Sequence, residues 1–287
     1  MKLTKLFLTA LVFSSFNITN AQNVRSDSAM TSGGLEAGAG NLPGVTGSTN
    51  GNTFYGYRAG SLQYRVLTQN TFIGHQSGEN NYRGSSNTFI GYKSGNLSNS
   101  TYDNTFIGTN SGLNNTGSRN IFIGSAAGSQ QTADSDKLFI ENSSSSSPLI
   151  WGDFALDQLK LNGKVGIGNG FANFPTTAGS VNVANYNLFV KGGILTEEVR
   201  VNLQSNWADY VFSSNYKLKT LDEVENYINE NGHLENVPSA KKVKEEGIEL
   251  GEMAKIQQEK IEELTLYLIQ QNKEIKELRE NLKSLKN

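Results

Sequence analysis

Between Asn52 and Gly128 the chain alternates short apolar triplets with polar stretches at a nearly fixed step. The triplets lie in Asn52-Thr-Phe-Tyr-Gly, Asn70-Thr-Phe-Ile-Gly, Asn87-Thr-Phe-Ile-Gly, Asn104-Thr-Phe-Ile-Gly and Asn120-Ile-Phe-Ile-Gly, with the Asn residues 18, 17, 17 and 16 positions apart. A small residue and a second glycine follow each copy, as in Ala59-Gly60, Ser77-Gly78 and Ala127-Gly128, and a worn sixth copy, Leu138-Phe139-Ile140-Glu141, comes one step later. A period of this length predicts stacked units, each burying its apolar face against the next. Thr, Phe and Ile suit strands, and adjacent strand side chains point to opposite faces. Phe54, Phe72, Phe89, Phe106 and Phe122, with Ile73, Ile90, Ile107 and Ile123, are therefore the expected repeat core, one row facing an axis and the other the neighbouring layer. The repeated Asn predicts an amide ladder, and glycines 56, 74, 91, 108 and 124 predict positive φ or close backbone approach. One coil with two large apolar residues buries little alone. The expected fold is thus a mainly β repeat array, a trimeric β-roll or β-prism in preference to a single-chain β-solenoid.

The second strong pattern is at the C-terminus. Ile261, Leu264, Leu268, Gln271, Ile275, Leu278, Leu282 and Leu285 fall at alternating steps of three and four, in a segment without Gly or Pro after Gly251. That is a heptad seam and predicts a parallel coiled coil, with Gln271 as one polar layer that fixes register and Glu274 and Arg279 placed to pair between chains. The heptads alone do not separate two strands from three; the repeat array favours three.

Between these lie weaker signals. Leu149–Phe154, Leu159–Gly163 and Val165–Gly168 read as strands, and Asn162-Gly163 reads as a hairpin turn between the last two. Asn187–Gly193 is a further strand and turn. Trp207–Phe212 reads as an aromatic neck. Asp222–Ile228 is a short helix ended by Asn231-Gly232, and Ser239 is placed to cap the next one. The expected organisation is a signal peptide over 1–21, a Gly/Ser/Asn-rich leader over 22–51, the β array over 52–141, a β-rich stalk over 142–193, a neck with short helices over 194–247 and the coiled coil over 248–287.

Composition narrows the function classes. Only 36% of the 287 residues are hydrophobic and mean hydropathy is -0.43, which argues against a large globular core. With 30 Gly and 4 Pro, tight turns are abundant. A net charge of -2 gives no electrostatic reason to expect nucleic acid, and interleaved charges along the last helix read as a solvated face. There is no cysteine, so disulfides, thiolate metal sites and thiol catalysis are excluded. His75 and His233 stand alone, which predicts no metal site and no cofactor. Gly166-x-Gly168-x-Gly170 lacks the features of a phosphate loop and reads as turn glycines.

Residues 1–21 read as an export signal: Lys2 and Lys5 precede the apolar run Leu6–Phe16, and Thr19 and Ala21 suit cleavage before Gln22. No further run of about 18 apolar residues exists, so the mature chain is expected to be exported and not membrane-spanning.

The Asn-Thr-Phe-Ile-Gly…Ser-Gly copies over residues 50 to 130 resemble the head repeats of trimeric autotransporter adhesins, including Bacteroidetes surface proteins that carry such arrays. No segment here resembles the membrane-barrel anchor of those adhesins. Asp27-Ser28-Ala29 resembles a short O-glycosylation signal of exported Bacteroidetes proteins, but reads better as a chance tripeptide of a polar tail. Trp207 to about Ile269 resembles the C-terminal region of Bacteroidetes fibre-like proteins and, more loosely, the self-cleaving chaperone domains that end phage tail fibres. That second resemblance implies Ser214 as nucleophile with Lys217 or Lys219 as its base, although the family's Ser-Asp pairing is not present.

Together these patterns predict a secreted or cell-surface homotrimeric fibre, structural or adhesive, with no catalytic residue and self as its main partner. A surface glycan or host-cell ligand is expected to meet the loops between strands, for example at Tyr64 and Tyr82. The alternatives are a self-cleaving chaperone domain and a monomeric β-solenoid that binds carbohydrate.

Overall fold

The computed structural model describes residues 24–26, 30–39, 51–62, 68–170, 173–202 and 207–285. The expected signal segment and its cleavage point, Asp27-Ser28-Ala29 and Tyr64 lie outside them. The chain forms two compact units, 1–163 and 164–287.

In the first unit the repeat becomes a β-solenoid of about five turns. Strands β1 (Val24–Ser26), β2 (Met30–Gly33), β3 (Asn52–Tyr55), β4 (Thr71–Ile73), β5 (Thr88–Ile90), β6 (Thr105–Ile107), β7 (Ile121–Ile123) and β8 (Lys137–Ile140) lie side by side in chain order. From β2 to β8 every neighbouring pair is parallel, and from β3 onward the Phe positions align, Phe54 beside Phe72, with Ile73 beside Ile90 on the other row. The worn sixth copy therefore supplies β8. Met30–Gly33, assigned from the sequence to the leader, pairs with β3 and starts the same sheet.

The alternation sorts the expected core into two rows. Phe54, Phe72, Phe89, Phe106 and Phe122 are buried in a single column, extended by Phe139. Successive rings from Phe72 to Phe122 are 4.8–4.9 Å apart with planes within 7°, so these coils stack with very little twist. Ile73, Ile90, Ile107 and Ile123 are not part of that core; they point to the outer face of the sheet and are partly exposed. The core expected to be closed by other chains is closed within one.

Two devices make this narrow core sufficient. Opposite Phe72, Phe89, Phe106 and Phe122 the coil presents a glycine, so that a Cβ on Gly95 would stand 2.5 Å from Phe89; in the strand-ending column a Cβ on Gly91 would stand 2.4 Å from the Gly108 carbonyl oxygen. Both also have positive φ, 55° and 137°. The Asn column forms the expected ladder. Asn70, Asn87, Asn104 and Asn120 each donate a backbone N–H to the side-chain oxygen of the preceding Asn at 2.9–3.1 Å, and Lys137 does the same to Asn120. The Asn87 amide also donates to the Thr101 carbonyl at 2.7 Å, pinning the returning loop. Buried polar groups are tolerated when paired in this way.

The array ends in β9 (Ile150–Asp153) and β10 (Gln158–Leu161), which pair antiparallel with each other, β9 lying antiparallel on β8. The hairpin turn thus lies at 154–157, not at Asn162-Gly163. The Asp153 carboxylate accepts from the N–H groups of Ala155 and Leu156, and Asp157 adopts positive φ, so a side-chain-locked turn forms ahead of the Asn-Gly signal.

In the second unit β11 (Val165–Ile167) pairs in parallel with β14 (Leu188–Val190), and β12 (Thr177–Ala178) with β13 (Val181–Asn182) in a small hairpin. A 3₁₀ turn, Ala208–Phe212, precedes helices α1 (Leu221–Asn231), α2 (Ala240–Glu246) and α3 (Leu250–Ser284). Thr220 and Glu223 form a capping box at α1, Gly232 ends it in the left-handed region, and Ser239 caps α2. In the expected aromatic neck the buried residues are Ala208 and Val211.

Candidate interaction surfaces

Three surfaces stand out. The outer face of the solenoid carries the partly exposed Ile row, and beyond the strand-ending glycines a second column, Tyr57, His75 and Tyr92, with ring centroids 4.9 and 5.3 Å apart. Position in the repeat places these rings; nothing about the single histidine in the sequence pointed to them. Tyr82, expected to face ligand, is half-buried and donates its hydroxyl to Asn80.

The second surface is α3, whose two sides are used in an inverted way. Helices ordinarily bury their apolar stripe. Here the 3₁₀ turn packs on the charged side: Glu259 and Glu262 are buried, and the apolar heptad row is open. Tyr210 donates its hydroxyl to Glu259, and Tyr216 to Glu263. The Lys260 ammonium lies 2.9 Å from both carboxylates, and the Tyr267 hydroxyl donates to the Lys219 carbonyl at 2.7 Å. On the other side Ile261, Leu264, Leu268, Ile275, Leu278, Leu282 and Leu285 are exposed; Leu264, Leu268 and Leu278 are 59%, 64% and 62% exposed. Gln271 lies exposed among them, and Glu274 accepts from Gln270 one turn away. The heptad row is thus unsheathed along its length. The sequence located the row; the chain that packs behind it came from segments 47 to 49 residues distant and carried no local signal.

The clip between turn and helix titrates at both ends of the pH scale. Its hydrogen bond to Glu259, followed by burial, pushes the Tyr210 phenol up to about 12; burial and the bond to Glu263 push Tyr216 higher still. Burial acts to raise Glu259, but donation from Tyr210 and Lys260 outweighs it and the group sits below the usual carboxylate range. A raised phenol stabilises docking fully below the ordinary tyrosine pKa of about 10 and loses that contribution as pH climbs to about 12. A lowered carboxylate contributes above about pH 4.5 and loses its contribution below. Absorbance titration of tyrosinate should therefore show one ionisation displaced to about pH 12. Tyr210→Phe should remove that step and loosen the neck at neutral pH; phenols all titrating near pH 10 in the parent would contradict the clip.

The Ser-Lys pair that the chaperone resemblance implies is not brought together here. Ser214 and Lys217 are exposed, with no hydrogen bond between them. The Lys219 ammonium is held 2.6 Å from Glu235, whose hydrogen bond raises its pKa, the opposite of what a base at neutral pH needs. Gly168 and Gly170, after β11, both have positive φ, and among the described residues the next helical element is Ala208–Phe212. Among the described residues no group of His, Asp and Glu has the arrangement to hold a metal ion, and no helix is long and apolar enough to cross a membrane.

The third surface is a cleft of about 770 Å³ in the second unit, between the β12–β13 hairpin, the α1–α2 turn and the start of α3. No family model, curated protein or solved structure gives a significant match to the chain.

Proposed function

We propose that this protein is an exported homotrimeric fibre, structural or adhesive in role and without catalytic chemistry of its own, in which three chains join along α3. One observation carries the reading: along the first half of its longest helix the chain covers the acidic side at Glu259 and Glu262, while the Ile and Leu row from Ile261 to Leu285, with Gln271 within it, stays open. Full burial of such a side chain contributes about 1.5–3 kcal/mol, and a parallel coiled coil is the arrangement that buries a row of this period. The count of three rests on the array, whose outer Ile row is a second uncharged column suited to face a common axis. Assembly along α3 would hold three arrays at high effective concentration, leaving the aromatic column and loops free for a surface glycan or a host-cell ligand.

A second reading, a monomeric β-solenoid that binds carbohydrate, draws support from the Phe column closing within one chain. The two part on deletion of residues 248–287: the monomeric reading expects ligand binding to persist unchanged, and the fibre reading expects assembly to be lost. Export is tested by the denatured mass of protein recovered outside the cell. An intact chain beginning at Gln22 is expected; a chain broken near Ser214 would instead favour the self-cleaving chaperone.

A further inference from the structure

The second unit leaves two of its parts unmatched. One is the cleft, lined by Val181, Val237, Ile248 and Ile256 together with side chains of both charges, Glu249 and Lys242 among them. Its volume of about 770 Å³ is in the range that encloses several side chains. The other is the arm over residues 193–202, which follows β14 and forms neither strand nor helix. It turns Ile194, Leu195, Val199 and Val201 to solvent, Leu195 completely, at 103% exposure. At its start a Cβ on Gly192 or Gly193 would meet nothing within 4 Å, so the arm leaves β14 through an uncrowded pivot.

We propose that the arm of one copy of this chain seats in the cleft of another. The inference rests on the assembled reading above and specifies a contact that reading does not contain. Four exposed apolar side chains in ten residues need cover, and the chain offers a cleft with apolar side chains in its lining that its own arm leaves open. Charges match in kind: the arm bears Arg200 and Glu197, the cleft lining Glu249 and Lys242. Arg200 is otherwise held by a 3.5 Å contact to Glu198 in which both side chains are mostly exposed, a weak tie that is readily exchanged. Location agrees as well. Glu249 immediately precedes α3 and Ile256 lies in its second turn; this is the helix that carries the open row. Joining copies along that row repeats the cleft around the axis.

The chain has no cysteine, so cross-links report single pairs. Leu195→Cys and Val237→Cys chains, carrying different tags, are co-expressed and treated with mild oxidant or a short bismaleimide; Leu278→Cys serves as the control for the α3 row. A Leu195–Val237 linked heterodimer, absent when either variant is expressed alone, is the expected result. Linkage at residue 278 without any between residues 195 and 237 would overturn the exchange and leave the fibre standing. Linkage confined within a chain that carries both substitutions would also overturn it, placing the arm in its own cleft. No linkage at any position would overturn the exchange together with the assembly on which it rests.

Discussion

Replacing Phe89 by alanine is expected to destabilise the repeat array by about 3–5 kcal/mol, the range for an aromatic side chain removed from a packed core. Phe89 is fully buried between Phe72 and Phe106, at 4.8 and 4.9 Å, and Gly95 approaches it so closely that no neighbour can fill the void. Relaxation is further blocked by the Asn ladder on one side and the Ser77 hydroxyl, bonded to the Phe89 carbonyl, on the other. Trp151, packed against the end of the column, provides a fluorescence signal for denaturant unfolding. Ile90→Ala, one position along on the outer face, is expected to lower the stability of the single array by about 1 kcal/mol, as for a half-buried aliphatic side chain. Equal losses at both positions would mean that the inner column does not hold the array together.

Leu264→Asp combined with Leu268→Asp is expected to convert the assembled protein to single chains while leaving the fold of each chain in place. Both side chains are exposed in one chain, and the turn that packs on α3 does so through Glu259, Glu262 and Glu263 on the other side. Three chains would lose six buried leucines, about 9–18 kcal/mol at about 1.5–3 kcal/mol each, and would gain buried charge besides. Sedimentation velocity at micromolar concentration reads the mass, and Trp151 fluorescence reads the array. Loss of both together would place the heptad row inside the folded chain, contrary to its exposure.

Much of this architecture was legible because it repeats. The identity of five copies made the strands, the Asn ladder and the special glycines readable, since each demands the same geometry at every coil. Which row turns inward was less plain, because period-two alternation treats Phe and Ile alike. A usable signal was present: Phe holds the middle place in every copy, whereas the outer place is Tyr in Tyr55 and Ile elsewhere. The extra strand at Met30–Gly33 was missed for lack of Asn-Thr-Phe, with Ser32 at the inward position. Its turn nonetheless repeats, since Gly34-Leu35-Glu36-Ala37-Gly38 follows the form of Gly56-Tyr57-Arg58-Ala59-Gly60. At the array's end Asn162-Gly163 is the stronger turn signal by type, but Asp153 closes a turn earlier through two backbone bonds that depend on its place at a strand end. The heptad row was fully legible, since 3.5-residue periodicity is local. The neck behind it was not: contacts such as Tyr210 with Glu259 join residues whose spacing carries no period. The cleft, formed by a hairpin, a turn and a helix start, is likewise a product of tertiary packing.

Absolute mass tests most directly whether the open row on α3 joins three chains. Light scattering on the tag-free secreted protein at micromolar concentration, paired with denaturing mass spectrometry of the same sample, should give three times the mass of an intact chain beginning at Gln22. A mass equal to one such chain would contradict the account.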